Sequence, residues 1–249
     1  MEKSVIMEQN RHMFIYGPNG IDRQEFLKQL EIEYPINTNE YSPMAIYMKD
    51  LNLPIIENEG INKSKLGILT REYLISSIAY QITETIFNQV NIELLGNRIN
   101  ELLSWIDKIQ NKNYSKIDDL RELLEALRIC KEIYYEEYIK YLKLSKANID
   151  FEKLPITYLD IERFAHNTKD VLNNKAYFNI IIDQQEQFPL GLQQAINWLV
   201  TKRINGNISM KVFCEKDDWK TYYDLNSETM DYCHDYGTYE IEDFRKVLK

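Results

Sequence analysis

Glycine and proline are scarce in this chain, at 8 and 6 of 249 residues. So few turn formers exclude a turn-rich all-β sandwich and favour long helices. Cysteine is equally sparse, and Cys130, Cys214 and Cys233 are odd in number and far apart, so no disulfide framework or CxxC pair can be drawn from them. Cys233 and His234 are adjacent, but a zinc site needs about four ligands at workable spacing, and the chain has only three histidines. Basic residues are outnumbered 30 to 39, giving a net charge of −9. Binding to nucleic acid works by releasing counterions from phosphates and needs clustered Lys and Arg. Here the basic residues are interleaved with acids, which disfavours a broad nucleic-acid surface and leaves only a small local patch open. No apolar run approaches the roughly 20 residues of a membrane span, and no apolar signal core follows Lys3. The expectation is a cytoplasmic chain without membrane association.

What is present is 44% hydrophobic residues, enough over this length for one core, or one core with a helical appendage. Met13-Phe14-Ile15-Tyr16 reads as a strand that stops at Gly17-Pro18-Asn19-Gly20, and Phe26, Leu27 and Leu30 then recur at helical spacing. Ala45-Ile46-Tyr47-Met48 fits a second strand. Residues 70–146 read as helix almost throughout. Leu74, Ile78, Ile82, Ile86, Val90 and Leu94 step by four, and Ile99, Leu102, Leu103 and Ile106 extend an apolar face. After a turn at 111–114 and a capping pair Ser115/Asp118, a second helix sets Ile117, Leu120, Leu124, Leu127, Tyr134, Tyr138 and Tyr141 near a/d spacing, with Lys131 interrupting the seam. The two helices suggest an antiparallel hairpin whose tyrosines, Tyr135, Tyr138 and Tyr141 among them, either pack on the core or form a partner-binding face. A helix from Thr157 through Phe164, a strand at Tyr177-Phe178-Asn179-Ile180-Ile181-Ile182, a helix opened by Pro189, a strand over 208–214 and a short strand at Thr238-Tyr239-Glu240-Ile241 complete the pattern. Strands separated by helices, with no hairpins, predict a parallel sheet covered on its faces.

Two segments carry candidate chemistry. A phosphate-binding P-loop needs glycines for close backbone approach, a Lys for the terminal phosphates and a hydroxyl on Mg²⁺. Gly17, Pro18, Asn19 and Gly20 stand where such a loop opens, but Asp22 replaces the later glycine, Arg23 the Lys and Gln24 the hydroxyl. A carboxylate at a helix N-terminus takes the dipole's anion position and repels a polyphosphate, whereas a guanidinium is itself a good phosphate ligand. The second segment is Ile180-Ile181-Ile182-Asp183-Gln184-Gln185-Glu186. An acid ending an apolar strand can hold Mg²⁺, and Asp183 and Glu186 are the candidate catalytic carboxylates. Gln184 stands where a water-polarising acid would sit, and an amide is no general base near neutral pH.

The order of this loop, a long helical stretch and the acid-ended strand resembles the origin-recognition-like AAA+ ATPases of bacteria and archaea. Gln193-Gln194-Ala195-Ile196-Asn197-Trp198-Leu199 is similar to the family's helix after the acidic strand. Ile208-Ser209-Met210-Lys211-Val212 resembles its sensor strand, and His234-Asp235-Tyr236 with Glu240-Ile241 a downstream acidic segment. The resemblance covers residues 12–30 and 157–243. It implies a three-layer P-loop NTPase-like α/β fold with strand order 5-1-4-3-2, formed by residues 1–63 and 151–249, with 64–150 as a helical insertion. It also implies a cofactor, Mg-ATP, bound through Gly17, Pro18, Asn19, Gly20, Arg23 and Gln24, with Asp183 on the metal. The departures oppose that activity, since phosphoryl transfer depends on positive charge around the γ-phosphate, and Glu215 stands where the family tends to place a basic residue. The expectation is therefore a pseudo-ATPase with ATP binding weak or lost, a binding or scaffold subunit beside a protein partner or active homologue. The alternatives are a slow but active ATPase and a helical adaptor on an α/β platform.

Overall fold

A computed structural model of the chain describes residues 2–37, 41–49, 51, 53–54, 63–90, 120–144, 158–184, 188–201, 206–232 and 234–248. In chain order these form α1 (Glu2–Met7), β1 (Met13–Tyr16), α2 (Ile21–Glu33), β2 (Met44–Tyr47), α3 (Lys63–Gln89), α4 (Leu120–Leu144) and α5 (Tyr158–Leu172). There follow β3 (Phe178–Asp183), α6 (Leu190–Thr201), β4 (Ile208–Cys214), β5 (Gly237–Glu240) and α7 (Phe244–Val247). The strands pair in parallel in the order β2-β3-β4-β1-β5, which is 5-1-4-3-2 read from the other edge.

That order explains where the helices lie. The step from β1 to β2 crosses the sheet in one direction, and the later steps from β2 to β3, β3 to β4 and β4 to β5 all run in the other. Right-handed crossovers of opposite direction must place their connections on opposite faces. Accordingly, α2 packs with α1 and α7 over Met13, Ile15, Ala45, Ile181 and Phe213. α3, α5, α6 and the connection carrying Trp219 and Tyr236 cover Phe14, Ile46, Ile180, Ile182, Met210 and Val212 on the other face. Buried on both sides, β3 and β4 read as near-continuous apolar runs, as central parallel strands must.

α3 lies between the sheet layer and α4, so several of its polar residues are enclosed. Ser77, Thr83 and Thr85 are buried, and their hydroxyls donate to the carbonyls of Tyr73, Ala79 and Gln81 four residues back. α4 turns Leu120, Leu123, Leu127, Cys130, Tyr134, Tyr138 and Tyr141 inward. The buried seam thus runs through Leu123 and not Leu124, because its steps mix threes and fours and Cys130 takes the place left beside Lys131. Lys131 instead sets its ammonium 5.4 Å from the Tyr80 ring centre.

The tyrosines settle the choice left open by the sequence. Tyr134, Tyr138 and Tyr141 are 4%, 3% and 4% exposed and belong to the main core, while Tyr135, at 39%, is the one turned outward. A tyrosine face projecting from the hairpin is therefore corrected to a buried stripe. Strands β2, β3 and β5 are each shifted by about a residue from the sequence reading, and α5 runs on past Phe164 to Leu172. The readings placed on Leu94, on 99–117 and on Thr157 lie outside the described residues, as do those on Glu186 and Cys233.

Candidate functional site

The carboxyl ends of β1, β4 and β3 meet at the loop between β1 and α2. Gly17 continues from β1 by donating its N–H to the Cys214 carbonyl, 3.1 Å away, so the loop is registered on β4. Only glycine fits there. A Cβ at Gly17 would lie 2.8 Å from Phe244 Cε2 and 2.9 Å from the Ile241 carbonyl oxygen. Gly20 is needed for a different reason, since its φ of 136° is strained for any L side chain although the space around it is open. α2 begins immediately after it, with Asp22 in its first turn.

The loop's polar groups are engaged within the chain. The Asn19 N–H donates to Glu215 Oε1 at 3.0 Å, and the Gly20 N–H donates to Asn19 Oδ1 at 2.8 Å. Beneath the loop lies the Arg23 guanidinium, with its side chain 0% exposed. Its Nη1 donates to the Gly17 carbonyl at 3.2 Å, and Nη2 donates to Asn19 Oδ1 at 2.9 Å and to the Gln184 carbonyl at 2.8 Å. Its Nε is 3.0 Å from Asp183 Oδ1, and the Asp183 side chain is only 1% exposed. That last contact lies off the line of an aligned hydrogen bond and acts as a charge pair. A guanidinium has five N–H donors in a rigid fork, and this one reaches acceptors from the loop and from the end of β3.

Of the residues singled out in the sequence, Gly17, Asn19, Arg23 and Asp183 are thus brought together. Pro18 and Gly20 form the exposed outer turn, and Gln24 is half-buried on α2. Asp22 points outward, 55% exposed, 3.9 Å from Arg245. Beside the loop, a cleft of about 320 Å³ opens over the ends of β1, β4 and β5, and its charged lining is Glu215, Asp217, Glu240 and Glu242 against Lys216 alone.

Mg-ATP does not fit this arrangement. The Asp183 carboxylate that would hold the metal faces Arg23, the N–H of Asn19 that would meet a phosphate faces Glu215, and the adjoining cleft is acidic. A polyphosphate would enter against net negative charge.

A second buried polar group lies at the other end of the sheet. Lys211, 0% exposed in the middle of β4, donates through Nζ to the carbonyls of Gln9 and Arg11 at 2.8 and 2.7 Å. Burial, reinforced by the Arg11 charge, lowers its ammonium pKa to about 7. Next to it His12 accepts the Met210 N–H through Nδ1 at 3.0 Å. Burial and the Lys211 charge lower His12 to about 4, against an opposing pull from Asp235. These groups anchor the connection between α1 and β1 under the sheet. The signal in the sequence was a lone Lys inside an otherwise uncharged strand, Ile208-Ser209-Met210-Lys211-Val212-Phe213-Cys214.

Among the described residues no helix is long and apolar enough to cross a membrane. No protein-family model matches the chain, and no curated protein matches it.

Proposed function

We propose that the chain is a degenerate P-loop NTPase-like protein of the origin-recognition-like AAA+ type that works as a non-hydrolysing binding or scaffold subunit in the cytoplasm. One observation carries this reading. The loop, the cation after it and the acid at the end of β3 lie together at the carboxyl ends of β1 and β3, which supports the reading, yet Arg23 and Asp183 are buried against each other at 3.0 Å. Neither is presented to a ligand. The all-parallel sheet in the order β2-β3-β4-β1-β5 supports the fold assignment. A fold without its reaction still offers a rigid surface, and the acidic net charge favours a protein partner, such as an active homologue, over nucleic acid.

The test is phosphate release and thermal unfolding of the purified chain with Mg-ATP. The expected results are no release above background and a Tm unchanged by nucleotide. A ligand specific for the native state at a hundredfold excess over its Kd would add roughly 2.7 kcal/mol of stability. Turnover in the ordinary enzymatic range of roughly 1–10³ s⁻¹ that co-elutes with the folded chain would overturn the reading.

A further inference from the structure

The acceptors around the Arg23 guanidinium are held in place by something other than Arg23. Gly17 is fixed by its hydrogen bond to the Cys214 carbonyl, and Gln184 by its own N–H to the Phe213 carbonyl at 2.8 Å, so the sheet sets both carbonyl positions. Asp183 is the last residue of β3, in register with Phe213 of β4. Asn19 Oδ1 is oriented by the Gly20 N–H. One carboxylate and three neutral oxygens therefore converge on the buried Arg23 guanidinium. Together they form a binding site for a planar cation, and the side chain of Arg23 fills it.

We infer that the ends of β1 and β3 build a guanidinium-binding cradle, occupied by the chain's own Arg23 where a P-loop protein would hold a metal ion and phosphates. The inference rests on the reading of the loop given above and extends it to regulation. A loop closed on an internal cation keeps one conformation whatever the supply of ATP or Mg²⁺, so the surface it presents does not switch with nucleotide. Two further features agree with this. The guanidinium spreads its donors and charge over Gly17, Asn19, Gln184 and Asp183 at once, where an ammonium concentrates three N–H groups at one point. The acidic cleft beside the loop attracts cations and repels the anions that would compete.

The experiment is chemical rescue in the full chain. Arg23→Ala removes the guanidinium and leaves the acceptors. Thermal unfolding is followed with guanidinium chloride up to about 20 mM, far below the molar range in which it denatures, against equal NaCl and urea. The expected result is a variant that melts below the parent and gains about 3 °C or more, saturably, from guanidinium alone. The parent should show no gain, and neither should Arg23→Ala/Asp183→Asn. An equal response to NaCl, or a fall in the variant matching that in the parent, overturns the cradle. If Arg23→Ala is recovered only as aggregate, the yield of refolded protein with and without guanidinium gives the same reading. As an independent check, Arg23→Gln, Asp183→Asn and their double variant form a cycle. A double variant about as stable as either single supports the cradle, and losses that simply add refute it. Rescue accompanied by ATP turnover in the parent would keep the cradle and sink the non-hydrolysing reading. No rescue and no turnover would do the reverse.

Discussion

Asp183→Asn separates a catalytic acid from a structural one. An aspartate poised for a metal gains little from its charge in the empty protein, so its amide variant folds as well as the parent. Here the carboxylate is 1% exposed and faces a guanidinium that is 0% exposed, 3.0 Å away. Removing the negative charge leaves Arg23 buried without a counter-ion. Breaking one side of a buried pair typically costs 3–5 kcal/mol. Gly17, Asn19 and Gln184 still accept from Nη1 and Nη2, so the lower end, about 3 kcal/mol, is expected. In a chain of this size each kcal/mol moves Tm by roughly 2–4 °C, which gives a fall of about 6–12 °C. Urea unfolding followed by far-ultraviolet circular dichroism should show a lower midpoint with the slope unchanged, and Mg-ATP should alter neither protein. A loss under about 1 kcal/mol, or a gain, would refute the idea that the Arg23 charge depends on Asp183.

Gly17→Ala should destabilise by about 1–3 kcal/mol through overpacking. Adding Phe244→Leu should recover only part of that, because the Ile241 carbonyl oxygen stays 2.9 Å from the new Cβ. Stability should rise with pH in two windows. From about 4 to 6.5 the unfolded chain binds a proton at His12 that the folded chain does not, worth of the order of 3 kcal/mol. From about 7 toward 10 the same sign holds for Lys211, so denaturation midpoints should climb in both and flatten respectively in His12→Asn and Lys211→Met. Tyr138→Ala should cost about 3 kcal/mol or more as a core deletion. Tyr135→Ala should stay within about 1 kcal/mol, and a reversal of that ranking would place α4 in the wrong rotation.

The sheet was legible because its strands are short apolar runs bounded by punctuation. Ile180-Ile181-Ile182 ending in Asp183 can hardly be read otherwise, and the crossover rule then fixes which face each helix covers. The rotation of α4 was less so. Leu123 and Leu124 are equally apolar, and only the mixed three- and four-residue steps of a packed stripe distinguish them. The tyrosines were ambiguous for a chemical reason, since a ring with a hydroxyl suits a core or an interface equally well. Tyr138 resolves its hydroxyl by donating to the Pro54 carbonyl at 3.4 Å, a partner 84 residues away that no local pattern reveals. The strand, turn and helix around the loop were legible, but the direction taken by Arg23 was not. A first-turn guanidinium serves an external phosphate or an internal carboxylate from the same position in the sequence.

Distance along the sheet explains why Arg, and not a shorter cation, stands at that position. β4 separates β1 from β3, so the ends of those two strands are about 10 Å apart at the usual spacing of nearly 5 Å per strand. A side chain rooted in the first turn of α2 must cross much of that gap to meet Asp183 while still holding Gly17 and Asn19 on its own side. Arginine has both the reach and several donors at its tip. A lysine ammonium carries its three donors at one point, so it could not meet Asp183 and the loop oxygens of Gly17 and Asn19 from both sides of that gap as the Arg23 fork does. Under the proposed reading, the same geometry also accounts for Asp22 and Gln24. With the cation turned inward, no phosphate has to approach α2, so Asp22 is tolerated at the helix N-terminus, where a carboxylate is favourable, and position 24 needs no hydroxyl. Arg23 and Asp183 are in this sense one feature: the acid has a use without magnesium, because the chain supplies its counter-ion from within.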